Sequence, residues 1–138
     1  MEYKVAGSKI VVRLDKGDEI ISSVYNLMEE LNIKCASVSG IGATDDVTFG
    51  IYNASNKEYV KYNVKEDLEI TSLIGNLTRQ NGAPYLHLHI NLAGFNGVYG
   101  GHLNRAIISV TSEIFIDVID TEVERKLNEE IGINLMVL

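Results

Sequence analysis

Tyr85 to Leu103 reads YLHLHINLAGFNGVYGGHL, and the architecture follows from this stretch. Leu86, Leu88, Ile90 and Leu92 alternate with His87, His89 and Asn91, the period of a strand with one apolar and one polar face. The limb runs into Gly94-Phe95-Asn96-Gly97, and Asn-Gly between two alternating limbs is the strongest short hairpin signal. The return limb, Val98 to Leu103, therefore pairs antiparallel with Tyr85 to Ala93.

Outward from this hairpin the pattern stays strand-like. Ser8–Leu14, Lys34–Ile41, Asp46–Tyr52, Glu58–Val64, Leu68–Leu77, Ala106–Thr111 and Glu113–Ile119 are each predicted as strands, with Asn53-Ala54-Ser55-Asn56 turning a second hairpin. The tail from Thr121 fits either type: Val123, Arg125 and Leu127 alternate, but its Glu and Lys residues also suit a helix. Ile133–Leu138 reads as an edge or docking strand. One segment breaks the period. From Glu19 to Leu31, Ile20, Val24, Leu27, Met28 and Leu31 recur at helical spacing, and Asp18 is placed to cap the helix after the turn at Gly17. The expected fold class is α+β: a mainly antiparallel sheet with one principal amphipathic helix, about residues 19–31, packed on it. No repeat, linker or low-complexity block divides residues 1–138, so a single domain is expected.

The three histidines all fall within this decisive stretch. His87 and His89 stand two residues apart on a strand and share a face. With Asn96 and Gly97 as the turn's central residues, Phe95 pairs with Val98 and Asn91 with His102. Opposed residues share a face, so His102 joins the other two, diagonal to His89. Three imidazoles suit a divalent transition metal, zinc foremost, and leave a coordination position open for water or a ligand. The grouping depends on register, since a bulge at Gly100-Gly101 sends His102 to the opposite face. Without a metal the same residues read as a polar sheet face or as histidines stacked at a subunit interface.

Charge narrows the function classes. Twelve basic against nineteen acidic residues give a net charge of −7, the wrong sign for a protein that neutralises phosphates, and no basic run exceeds Arg125-Lys126. Lys9, Arg13, Lys34, Arg79 and Arg105 could still form a basic patch if folding gathered them. Arg13 and Arg79 could also meet an anionic ligand, though isolated arginines are more often surface residues with solvated heads. A single cysteine, Cys35, excludes an internal disulfide framework and reads as a small core residue. No apolar run is long enough for a membrane-spanning helix or a signal peptide, so a cytoplasmic location is expected and the sequons at Asn53 and Asn76 carry no glycan. Gly40-Ile41-Gly42 is no dinucleotide loop, because Asp45 holds the third glycine position and no helix follows.

Arg13-Leu14-Asp15-Lys16-Gly17-Asp18, Ser39-Gly40-Ile41-Gly42-Ala43, His87-Leu88-His89 and Gly100-Gly101-His102-Leu103, in that order, resemble the plant and prokaryote conserved (PPC) domain family. The resemblance extends from about Lys9 to Leu138. It implies an antiparallel sheet with a helix against it, assembled as a homotrimer, and places His87, His89 and His102 at family histidines that can hold a metal. Stand-alone prokaryotic members are often described as DNA-binding, whereas plant members grip the minor groove through an Arg-Gly-Arg-Pro hook. This chain has no such hook, and Asp67 in Glu66–Thr71 stands where the plant partner-binding motif has arginine.

Three functions follow as expectations. The first is a homotrimeric binding module with a three-histidine metal site and a small ligand. The second is a DNA-associated transcriptional regulator, opposed by the charge and the missing hook. The third is a metal-dependent enzyme. A cupin offers an analogy through its His-x-His strand, but Leu92 and Ala93 stand where its glutamate belongs, and no general base stands out.

Overall fold

The structure, a computed structural model, describes residues 1–138. It is mostly β-sheet with one helix, in the order β1 (Glu2–Ala6), β2 (Lys9–Asp15), α1 (Ile20–Glu30), β3 (Ala36–Asn53), β4 (Glu58–Val64), β5 (Leu68–Gln80), β6 (Ala83–Gly94), β7 (Val98–Val118), β8 (Glu124–Asn128) and β9 (Ile133–Val137). Two corrections concern continuity. The segments expected separately at 34–41 and 46–52 are one strand, β3, and those at 98–103, 106–111 and 113–119 are one strand, β7. The pairing shifts register inside β3 at Gly40/Gly42, Gly42/Thr44, Thr44/Asp46 and Thr48/Phe49 without ending the strand. A bulge bends a strand without ending it, which is why the chain runs on past the expected strand ends at Ile41 and Leu103. Strand β1 was not anticipated; it pairs antiparallel with β2 at the sheet edge.

The sheet closes on itself. β7 pairs with β3, β3 with β5, β5 with β6, and β6 again with β7, all antiparallel. This ring brings β6 between β5 and β7 and removes two edges that would otherwise be open. Leu88, Ile90 and Leu92 of β6 join Leu73 and Leu77 of β5, Ile114 and Ile116 of β7 and the apolar stripe of α1 in one buried cluster of 24 residues. Cys35 is buried as expected, and burial raises its thiol above the ordinary range.

Helix α1 buries Ile20, Val24, Leu27 and Met28, four of the five stripe residues read from the sequence, with Leu31 partly buried against the core. Each such side chain contributes about 1.5–3 kcal/mol, so this face holds the helix to the sheet. The cap is Glu19 instead of Asp18: its carboxylate accepts from the N–H groups of Ile21 (2.9 Å) and Ser22 (2.7 Å), and from Ala106 on β7 at 3.2 Å. Asp18 is drawn away to the Asp15 N–H and the N-terminal ammonium. At the other end Asn32 takes a left-handed φ of 50°, and Ile33 N–H returns to Met28 O at 2.9 Å, which closes the helix. Arg79 is a further correction. It is 6% exposed, donating to Glu29 on α1, to Ile33 O and to Gly82 O, and is a buried tie between helix and β5 where a solvated head or ligand contact was expected.

Candidate metal centre

Alternation along β6 sends Leu88 and Ile90 into the core and leaves His87 and His89 on the opposite face. Across the hairpin His89 pairs directly with His102, Asn91 with Gly100 and Ala93 with Val98. The expected register was therefore displaced by two residues. Gly94 N–H closes the turn on Gly97 O at 2.9 Å, so Phe95 and Asn96 are its central residues, and neither Asn96 nor Gly97 takes the positive φ of an Asn-Gly turn. A displacement of two preserves the face, because side chains alternate with period two. The grouping thus survives, and His102 stands closer to His89 than a diagonal would place it.

The bulge that would have turned His102 away is absent from the β6–β7 pairing, which runs unbroken from His89–His102 to Ala93–Val98. Gly100 and Gly101 serve close approach instead. A Cβ on Gly101 would lie 2.6 Å from Gly50 O on β3, and one on Gly100 would lie 2.6 Å from the Asn91 side chain. Gly75 on β5 does the same beneath His87: a Cβ there would press on the His87 carbonyl and lie 2.8 Å from Leu88 Cα. These glycines let three strands converge at the histidines.

One ring nitrogen from each of His87, His89 and His102 lies within 4.8 Å of the others, and the ring centroids are 5.1, 5.2 and 5.6 Å apart. Three nitrogens in that space can converge on one ion with small side-chain adjustments, and a neutral three-imidazole set fits a borderline-soft divalent metal. Burial holds His87 well below its ordinary value, at about 4, helped by repulsion from His102, Arg125 and His89; His102 is lowered by burial and by His89. Both rings are thus held neutral, as metal ligation requires. Tyr59 on β4 packs edge-on against the His102 ring at 6.0 Å and donates to Asn104 Oδ1 at 3.0 Å.

The histidines sit in a cleft of about 730 Å³ whose far wall is the β8–β9 hairpin, contributing Arg125, Leu127, Ile133 and Asn134. The ambiguous tail is thus strand, and its alternation places Arg125 inward: it is 5% exposed and lies over the Tyr85 ring at 4.8 Å. Its guanidinium donates to Thr78 Oγ1 (2.9 Å), Asn134 O (3.1 Å) and Asn76 Oδ1 (2.8 Å), and one nitrogen lies 3.4 Å from His87 Nδ1. Sequence reading missed Arg125 as a site residue. Its one signal was the Val123/Arg125/Leu127 alternation, which could not say what faced it. A guanidinium only donates, so its contact with His87 uses the Nδ1 lone pair and puts the ring proton on Nε2. A metal at either ring nitrogen disturbs that arrangement, and Arg125 and a metal therefore compete for His87.

The family model for the Plants and Prokaryotes Conserved (PCC) domain matches residues 1–120. The chain is similar to the crystal structure of a metal-containing protein from Archaeoglobus fulgidus, at 34% identity and a TM-score of 0.88, covering 99% of this chain and 97% of that one. It is similar to a candidate DNA-binding protein from Bacteroides thetaiotaomicron, at 30% identity and a TM-score of 0.95, over 99% and 96% of the two chains. A PPC protein from Pyrococcus horikoshii matches at 26% identity and a TM-score of 0.83, over 99% and 96%. No curated protein matches in sequence.

Proposed function

This chain belongs to the Plants and Prokaryotes Conserved domain family, and we propose that it is a homotrimeric binding module in which His87, His89 and His102 hold one divalent transition ion, zinc by preference, beside a small ligand. The observation that carries this reading is the convergence of three imidazoles from two strands, all within 4.8 Å, in a cleft with room for a ligand. The relative from Archaeoglobus fulgidus, named as metal-containing, supports it. When bound, such an ion supplies a Lewis-acid centre with an open position. The chain's own part is to present three imidazole nitrogens and to shield them with Tyr59 and the β8–β9 hairpin. No carboxylate lines the cleft, which favours binding over a hydrolytic reaction that needs a general base.

Assembly has its own support. Val11, Phe115 and Ile74 are 41%, 54% and 60% exposed. They form a cross-strand row with Ser39 that runs across β2, β7, β3 and β5 and ends at His89. An apolar row of this kind needs cover, and a second and third copy would supply it. Light scattering at micromolar concentration is expected to give a trimer mass; a monomer rejects this part of the reading.

The reading as a DNA-associated regulator rests on the relative from Bacteroides thetaiotaomicron. Against it, each of the five dispersed basic residues faces an acid: Lys9 with Asp117, Arg13 with Glu2 and Asp15, Lys34 with Glu122, Arg79 with Glu29, and Arg105 with Asp46. Elemental analysis of the purified protein tests the leading reading. About one transition ion per chain is expected, and none in a folded His87→Ala/His89→Ala variant. Equal occupancy in the two proteins rejects it.

A further inference from the structure

The cleft's charge is unbalanced. In a chain with a net charge of −7, the residues lining this cleft include Arg125 and Lys57 but no aspartate or glutamate. Arg125 takes part in none of the molecule's ion pairs, although it is only 5% exposed. The contrast with Arg79 is informative: equally buried at 6%, it has Glu29 at 3.1 Å. A buried charge is ordinarily paired, and hydrogen bonds to neutral oxygens orient a guanidinium without cancelling its charge. Those bonds and the contact with His87 Nδ1 occupy four of the five N–H groups and, with Tyr85 beneath the guanidinium, fix the group facing the histidines. A divalent ion on the three imidazoles would add further positive charge beside it. The missing counter-charge must come from outside the chain.

The rest of the lining limits what brings it. Ile51, Leu127, Ile133 and Tyr52 make much of the wall apolar, and about 730 Å³ exceeds what a simple inorganic anion fills. We propose that the cleft takes a small organic carboxylate, its head group between Arg125 and the three-histidine centre and its apolar body against the β8–β9 hairpin. This rests on the metal reading for one of its two anchors. Arg125 lies on β8, past residue 120, where the family-model match ends. The arrangement also implies coupling. Arg125 opposes a cation at His87, a carboxylate relieves that opposition, and metal and carboxylate each raise the other's affinity by the same factor.

Benzoate is a suitable probe, with benzamide as its neutral counterpart, titrated calorimetrically into zinc-loaded wild-type protein. Benzoate is expected to bind at least tenfold more tightly than benzamide, and to raise zinc affinity by the factor by which zinc raises its own. Arg125→Met is expected to reduce the preference at least fivefold while binding zinc at least as tightly as wild type without benzoate. Arg125→Lys serves if the methionine variant does not fold, with benzoate binding expected to weaken at least fivefold because the planar fork is lost. Equal binding of benzoate and benzamide by zinc-loaded wild type overturns the proposal, as does an undiminished preference in the folded variant used. Failure of the metal reading looks different: the wild type takes up no zinc, and a benzoate preference that Arg125→Met abolishes in the metal-free protein then upholds the arginine anchor alone.

Discussion

Arg125 and His87 face one another at 3.4 Å across the cleft, one from the C-terminal hairpin and the other from the central ring of strands. They lie 38 residues apart in the chain. Their proximity joins two devices, a set of imidazole nitrogens and a buried cation, and it sets what can be measured.

Acid stability follows from His87. Its ordinary value is 6.5 and its folded value about 4, lowered first by burial and then by neighbouring positive charge. Between those values the unfolded chain binds a proton that the folded chain refuses. Stability of the metal-free protein is therefore full above about pH 6.5 and falls as pH drops toward 4. His102, lowered by burial, acts in the same direction. Urea midpoints at pH 7.5 and pH 5 are expected to differ more for wild type than for His87→Gln. An identical pH dependence in the two would contradict the burial argument.

Gly75→Ala tests convergence at the histidines. The added Cβ presses on the backbone at His87 and Leu88, which has no flexible end to yield. Overpacking of this kind costs about 1–3 kcal/mol. The urea midpoint is expected to fall and metal occupancy to drop with it, because β6 must shift away from β5. Normal occupancy in a destabilised variant would show that the site tolerates the movement.

Arg79 and Glu29 form an asymmetric pair, the arginine side chain 8% exposed and the glutamate 54%. Arg79→Met removes donors to two backbone carbonyls and is expected to cost about 1–3 kcal/mol. Glu29→Gln leaves those bonds in place and is expected to cost less than about 1 kcal/mol, since its carboxylate is largely solvated. Denaturant titration of both variants checks the order. The reverse order would mean that the ion pair, and not the carbonyl contacts, holds α1 to β5.

Duplex DNA is expected to bind no more tightly than the weak non-specific range, about 10⁻⁴–10⁻⁶ M, at physiological salt. The five dispersed cations are each matched by an acid, and Arg125 is buried in the cleft. Titration of labelled AT-rich and mixed duplexes at about 150 mM salt is the check, since screening there leaves only short-range contacts. Sub-micromolar binding that weakens steeply with added salt would favour the regulator.

By itself the sequence determined the features that depend on short-range periodicity. His87 and His89 share a face because a strand alternates, and His102 joins them because any even displacement of the hairpin keeps its parity. The stripe Ile20, Val24, Leu27 and Met28 gave the helix for the same reason, with a period of 3.6 in place of two. The family resemblance rested on the same local motifs. Where local signals compete, tertiary structure decided. Asn96-Gly97 is an excellent turn sequence, but the partners of β6 and β7 in the ring place the turn one residue earlier. Glycines that read as strand ends are bulges, because β3 and β7 continue to find partners beyond them. Arg125 is the clearest case. Alternation placed it on one face of a short strand, and only the docking of the β8–β9 hairpin made that face the wall of a cleft. Burial, charge balance and a counter-ion's absence are sums over residues distant in the chain, and no local pattern carries them.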